Sequence, residues 1–176
     1  MGTHQSKLDA KGRVSIPAQF RTVLRGGASE GPVSIVLRPS HTLPCVEGWP
    51  VQVFESLGEP LETMPLFSAD HEDLSAALFA DACPVESDRE GRIVLPDWLV
   101  VHAGLSDAVV FMGQGKSFGI WEPRAAEARR AYADAEAAVR RLARTYGEAS
   151  VLDWVKRGLP PEVTKASSSP APAKSK

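Results

Sequence analysis

The sequence predicts an α+β chain in which one unit, strand–turn–strand–helix–strand–strand, occurs twice. Three observations carry this reading. A nine-residue pattern recurs 79 positions apart, as DAKGRVSIP at 9–17 and DREGRIVLP at 88–96. A β-branched apolar run follows each copy, VSIVL at 33–37 and AVVFM at 108–112. Each unit then closes on a similar corner, EGWP at 47–50 and WEP at 121–123. An internal repeat fixes architecture before any single propensity does.

In the first unit, a strand at 4–8 leads into the turn Asp9-Ala10-Lys11-Gly12 and a strand at 13–16. Asp at the first turn position accepts from the backbone, and Gly at the fourth takes φ > 0, giving a short hairpin loop with a Gly bulge. Pro17 suits the first turn of a helix over 17–25, with Phe20 and Leu24 on one face and Gly26-Gly27 as its stop. Strands follow at 33–37 and 45–46. The second unit repeats the order, with a strand at 83–87, the turn Asp88-Arg89-Glu90-Gly91 and a strand at 92–95. A helix at 96–102 closes at Gly104, and strands at 108–112 and 118–121 flank a turn at 113–116. Two helical connectors, 51–57 and 70–82, join the units. The predicted organisation is a first repeat at 3–50, a connector at 51–82, a second repeat at 83–123, a helical segment at 124–158 and a tail at 159–176. In the helical segment Tyr132, Val139 and Tyr146 recur at seven, with Ala135 and Leu142 between them. That is an a/d seam, for which packing on the chain's own body and pairing between subunits are both open. The tail is Pro, Ala, Ser and Lys, a composition that cannot bury a core and is expected to be disordered.

Composition excludes several classes. At 43% hydrophobic and 24% charged residues, the 176-residue chain is an ordinary globular one. No apolar run approaches the roughly 18 residues of a membrane span, and no apolar leader precedes the first repeat. MGTHQS fits the loose myristoylation pattern, but the same residues are needed for the first strand. Cys45 and Cys83 are isolated thiols that read as small apolar residues in a reducing cytoplasm. The net charge of −2 conceals an asymmetry. Residues 1–25 hold five bases and one acid, 26–122 four bases and 15 acids, and 123–176 eleven bases and six acids. The first repeat therefore begins as a cationic surface on an acidic body.

GQGKS at 113–117 lacks the upstream glycine of a phosphate loop, Val110 standing there, and it joins two strands rather than opening a helix. The four histidines have no metal-ligand spacing with one another or with the thiols. No nucleophile–base grouping can be assembled from spacing, so neither catalysis, metal, cofactor nor small-molecule substrate is expected. The two turns remain. Asp9, Gly12, Asp88 and Gly91 serve the bend. Arg13 and Arg92 either pin the loop through the Asp four residues earlier or face a ligand. Lys7, Lys11 and Arg21 add cations that a turn alone does not require, and such a cluster suits duplex phosphates, while Arg also reads guanine. Glu90 replaces Lys11 in the second loop, which predicts weak or absent binding there.

The run GTHQSKLDAKGRVSIPAQFR at 2–21, with DREGRIVLP, HAGL and FGIWEP between 88 and 123, closely resembles the MraZ family. The resemblance implies an AbrB-like fold, two pseudo-repeated swapped-hairpin β-barrel halves with short helices, plus the C-terminal helix. It implies a cytoplasmic, nucleoid-associated, ring-forming regulator that binds double-stranded DNA. The expected target is short direct repeats upstream of the division and cell-wall gene cluster, including its own gene. Carried over by position, Lys11 and Arg13 would face DNA, with Lys7 and Arg21 in support. The rival reading is a protein-interaction scaffold or antitoxin-like partner, working through the acidic middle and the C-terminal helix.

Overall fold

A computed structural model describes residues 1–25, 31–149 and 151–152. The expected Gly26-Gly27 stop, most of the segment after 150 and the tail lie outside the described residues. The chain divides into two compact units, Met1–Ala128 and Arg129–Lys176.

In the first unit the strands are β1 (Thr3–Lys7), β2 (Arg13–Ser15), β3 (Ser34–Pro39), β4 (Cys45–Pro50), β5 (Cys83–Glu86), β6 (Arg92–Val94), β7 (Ala108–Gln114) and β8 (Ser117–Trp121). The helices are α1 (Ala18–Leu24), α2 (Val51–Ser56), α3 (Ala69–Phe79), α4 (Asp97–His102) and α5 (Pro123–Tyr146), the last continuing into the second unit. A 3-10 turn at Glu59–Thr63 was not expected; Pro60 in its first turn suits it. β4 is longer than the predicted 45–46. Glu47 through Pro50 hydrogen-bond in register with Arg38 through Ile35, and that ladder overrides the poor strand propensity of Gly48 and Pro50.

The strands do not stay within their own repeat. The large sheet runs β1-β7-β8-β4-β3-β5, antiparallel throughout its pairs. The first strand of each copy thus lies against the third strand of the other. The hairpins expected at the two turns are correspondingly minimal. β1 and β2 share the single bridge Leu8–Val14, and β2 instead pairs with β6 in a separate two-stranded ribbon. In that ribbon Val14 lies opposite Ile93, its own repeat equivalent, so an approximate two-fold relates the copies there.

One core serves both copies. Val14, Ile16, Phe20 and Leu24 enter it from the first, and Ile93, Leu95, Leu99 and Ala103 from the second. Pairs of these residues occupy equivalent positions of the repeat, which is why the pattern recurs. Phe20 meets Phe111 and Phe118 edge-on at 5.8 and 5.7 Å, so α1 of the first copy packs on β7 and β8 of the second. The connector helices make a smaller contact, with Phe54 and Phe79 edge-to-face at 5.6 Å.

Candidate nucleic-acid interface

The ribbon β2/β6 has two faces because strand side chains alternate. Val14 and Ile93 point into the core, leaving Arg13, Ser15, Arg92 and Val94 on the exposed face. Arg13 lies opposite Val94 and Ser15 opposite Arg92. A turn leads into each strand, so the antiparallel ladder sets the two loops at opposite ends of one short ribbon.

Both loops have the same construction. Asp9 Oδ1 accepts from the backbone N–H of Lys11 at 2.9 Å and of Arg13 at 2.8 Å, and Oδ2 accepts from Arg13 Nε at 2.7 Å. Asp88 repeats this with Glu90 N–H at 2.9 Å, Arg92 N–H at 2.8 Å and Arg92 Nε at 2.7 Å. Gly12 N–H and Gly91 N–H close each turn on the Asp carbonyl at 3.0 Å, with φ of 71° and 80°. The Arg–Asp pair is therefore part of the turn in both copies. Loop-pinning and ligand contact are not exclusive, since Nε–H makes the pin and the side chain of Arg13 stays 46% exposed.

Electrostatics separate the loops. The backbone N–H of Arg13 holds the Asp9 carboxyl below the usual range, aided by the Arg13 side chain and the Lys11 N–H. Asp88 is lowered chiefly by the Arg92 N–H and then by its guanidinium. Arg92 is raised first by its hydrogen bond to Asp88, with further contributions from Glu90 and from Asp9 of the other loop. The second loop neutralises itself, because Arg92 Nη2 also pairs with Glu90 at 2.6 Å. In the first loop Lys11 stands at that position, and among the described residues Arg13 ion-pairs with Asp9 alone.

Lys7 and Lys11 are exposed, on β1 and at the loop tip. Arg21 differs. It is half-buried, and its Nη1 donates to the carbonyls of Ile16 at 3.0 Å and Glu90 at 3.1 Å, tying α1 to the second loop. A Cβ at residue 91 would fall 2.3 Å from Arg21 Nη1, so Gly91 is needed for that contact as well as for its φ. Arg89 escaped the sequence reading. It is an exposed cation in the second loop where the first has Ala10, visible on comparing the loops position by position. Among the described residues no cluster of His, Cys, Asp and Glu could hold a metal, and no helix is long and apolar enough to cross a membrane.

Comparison with known proteins decides the family. The family described as "MraZ protein, putative antitoxin-like" matches residues 1–76 and 78–144. The chain belongs to the MraZ family. It is similar to the transcriptional regulator MraZ of Gluconacetobacter diazotrophicus, at 59% identity over 76% of this chain and 84% of that one. The MraZ of Gluconobacter oxydans is 57% identical over 74% and 79% of the two chains. That of Xanthobacter autotrophicus is 39% identical over 84% and 90%. All three are named as transcriptional regulators, and none as an enzyme.

Proposed function

We propose that this chain is a non-enzymatic, sequence-specific transcriptional regulator that grips duplex DNA with the outward face of the β2/β6 ribbon, first loop foremost. The observation that carries the reading is the difference between two loops of identical backbone. One is self-neutralised by Glu90, whereas the other presents Lys11 beside a partly exposed Arg13. Lys11 and Lys7 displace counterions from phosphates, and Arg13, held by Asp9, aims its guanidinium edge at a base. Arg21 supports the surface by tying α1 to the second loop. Functionally, 3–50 is the DNA-binding half and 83–123 its partner half, with 51–82 connecting them. The exchange of strands between copies supports the swapped-hairpin, AbrB-like description. The regulator acts in the cytoplasm, on the nucleoid, as a ring on direct repeats upstream of the division and cell-wall genes and its own gene.

Charge exchange at one position tests this. Lys11→Glu places in the first loop the acid that Glu90 supplies in the second, with the pin Asp9–Arg13 left in place. Binding to the upstream promoter duplex, followed by fluorescence anisotropy, is expected to weaken at least about tenfold and to lose about one unit or more of salt slope. Glu90→Lys is expected to strengthen binding, while both variants keep the wild-type circular dichroism. Wild-type affinity in Lys11→Glu refutes the assignment. The "antitoxin-like" description of the family favours one other reading, a protein partner, and binding of that kind would be indifferent to Lys11 and to salt.

A further inference from the structure

The DNA-facing ribbon leaves α5 unused. Tyr132 and Val139 are 63% and 44% exposed, so these two a-position side chains of the seam stand open to solvent among the described residues. Written as heptads, position a holds Tyr132, Val139 and Tyr146, and position d holds Ala128, Ala135 and Leu142. The flanking e positions are Arg129, Glu136 and Ala143, and the g positions Arg124, Ala131, Ala138 and Thr145.

We propose that α5 pairs with α5 of a second copy as an antiparallel two-stranded coil, in the register that sets Tyr132 against Ala135 and Val139 against Ala128 of the other copy. Side-chain size and charge select this arrangement independently. In a parallel pair, a meets a and d meets d, so Tyr132 would meet Tyr132 and Ala135 would meet Ala135. The Tyr132 layer would then be crowded between two empty alanine layers, at 128 and 135, which a packed seam tolerates poorly. In an antiparallel pair a meets d, and this register makes every layer from 128 to 139 one large residue against one alanine. Sliding the helices by one heptad instead sets Tyr132 against Leu142 and brings Glu136 near Glu136.

The charges agree. A parallel coil pairs g with the following e, which opposes Arg124 to Arg129. The antiparallel coil pairs e with e, and the chosen register sets Arg129 of each copy beside Glu136 of the other, twice by symmetry. Within its own helix Glu136 also accepts from Arg140 at 2.5 Å, which orders the carboxylate without covering the seam. The contact is isologous, with the same patch on both copies, so it stands apart from any head-to-tail ring and can link two such rings or two protomers.

Full-length protein with Cys83→Ser provides the background for disulfide mapping. Ala128→Cys and Val139→Cys variants, each with its own affinity tag, are oxidised alone and after co-expression. The coil predicts a disulfide dimer joining the two tags in the mixture and none from either variant alone. Cross-links from each variant alone would show a parallel pair, and no cross-link in any arm would show the seam covered by something else; either result overturns the proposal. Sedimentation velocity gives a second readout. Glu136→Arg sets arginines against Arg129 and is expected to raise the association midpoint at least about tenfold, whereas Arg129→Glu with Glu136→Arg restores it. Failure of the double exchange to restore association, with DNA binding and circular dichroism intact, would equally overturn it.

Discussion

Asp9 and Asp88 each bind three donors with two oxygens, and the arrangement matches within 0.1 Å between copies. This has a consequence for how arginine variants behave. Truncating Arg13 removes a cation and a turn restraint together, so loss of DNA binding in Arg13→Ala has two causes. Arg92→Ala provides the control, because it removes the same restraint from the self-neutralised loop and is expected to change affinity little. The carboxylates also set an acid response. Both folded-state pKa values are lowered from 3.8, so each group favours folding above that value, and the contribution is lost as pH falls through the depressed folded pKa. Asp9→Asn with Asp88→Asn keeps an oxygen acceptor at each turn but cannot titrate. Urea midpoints of wild type and the double variant should therefore differ above about pH 4 and converge below it. Parallel profiles through that window would show that the turn carboxylates add nothing to stability.

At the scale of elements, the exchange of strands makes each copy's core incomplete alone. Phe20 is fully buried between Phe111 and Phe118, both contributed by the other copy. Phe20→Ala should cost about 3–5 kcal/mol, the range for a buried aromatic truncated to alanine. It should also shift a single unfolding transition, with far-ultraviolet and tryptophan signals coincident. Two separated transitions would mean that the copies fold independently, contrary to a shared core. The elements themselves were legible in sequence because their causes are local. Phe20 and Leu24 at i, i+4 mark α1, and the apolar run through Val109 and Phe111 marks β7. The partners of the strands were not legible, because a repeat states that two units are alike and is silent about which strand of which copy lies alongside. β1 on β7 and β2 on β6 are settled by burial of Leu8, Val14 and Ile93 together, a non-local matter. In the candidate site, the turn residues and the contrast between Lys11 and Glu90 were plain from the motif. The inward reach of Arg21 to Glu90 was hidden, since a helix-surface arginine beside a basic loop reads as one more free cation. Arg89 was hidden for the opposite reason, the motif directing attention to the positions that coincide.

For the whole molecule, charge distribution constrains how DNA would be met in the proposed binding mode. The segment from 26 to 122 carries 15 acids against four bases, while residues 1–25 carry the reverse imbalance, five bases against one acid. At distances beyond the Debye length, about 8 Å at physiological salt, such a molecule has little attraction for a polyanion. In the proposed binding mode the ribbon attracts the duplex only at close range, so one protomer would neutralise few phosphates through it. For a single-box duplex, two to four phosphate contacts correspond to a salt slope of about −2 to −4. The proposed ring changes the arithmetic, because a second loop binds from a high effective concentration rather than from bulk solution. On two boxes spaced by a whole helical turn, about 10 base pairs between centres, the slope should roughly double and affinity should rise about a hundredfold or more. Inserting about five base pairs turns the second box to the far side of the duplex and should return both quantities to single-box values. The comparison is made by anisotropy across a salt series, on duplexes differing only in box number and spacing. A two-box affinity only twofold above one box, unaffected by the insertion, would mean that the loops engage DNA singly and that the assembly contributes no avidity.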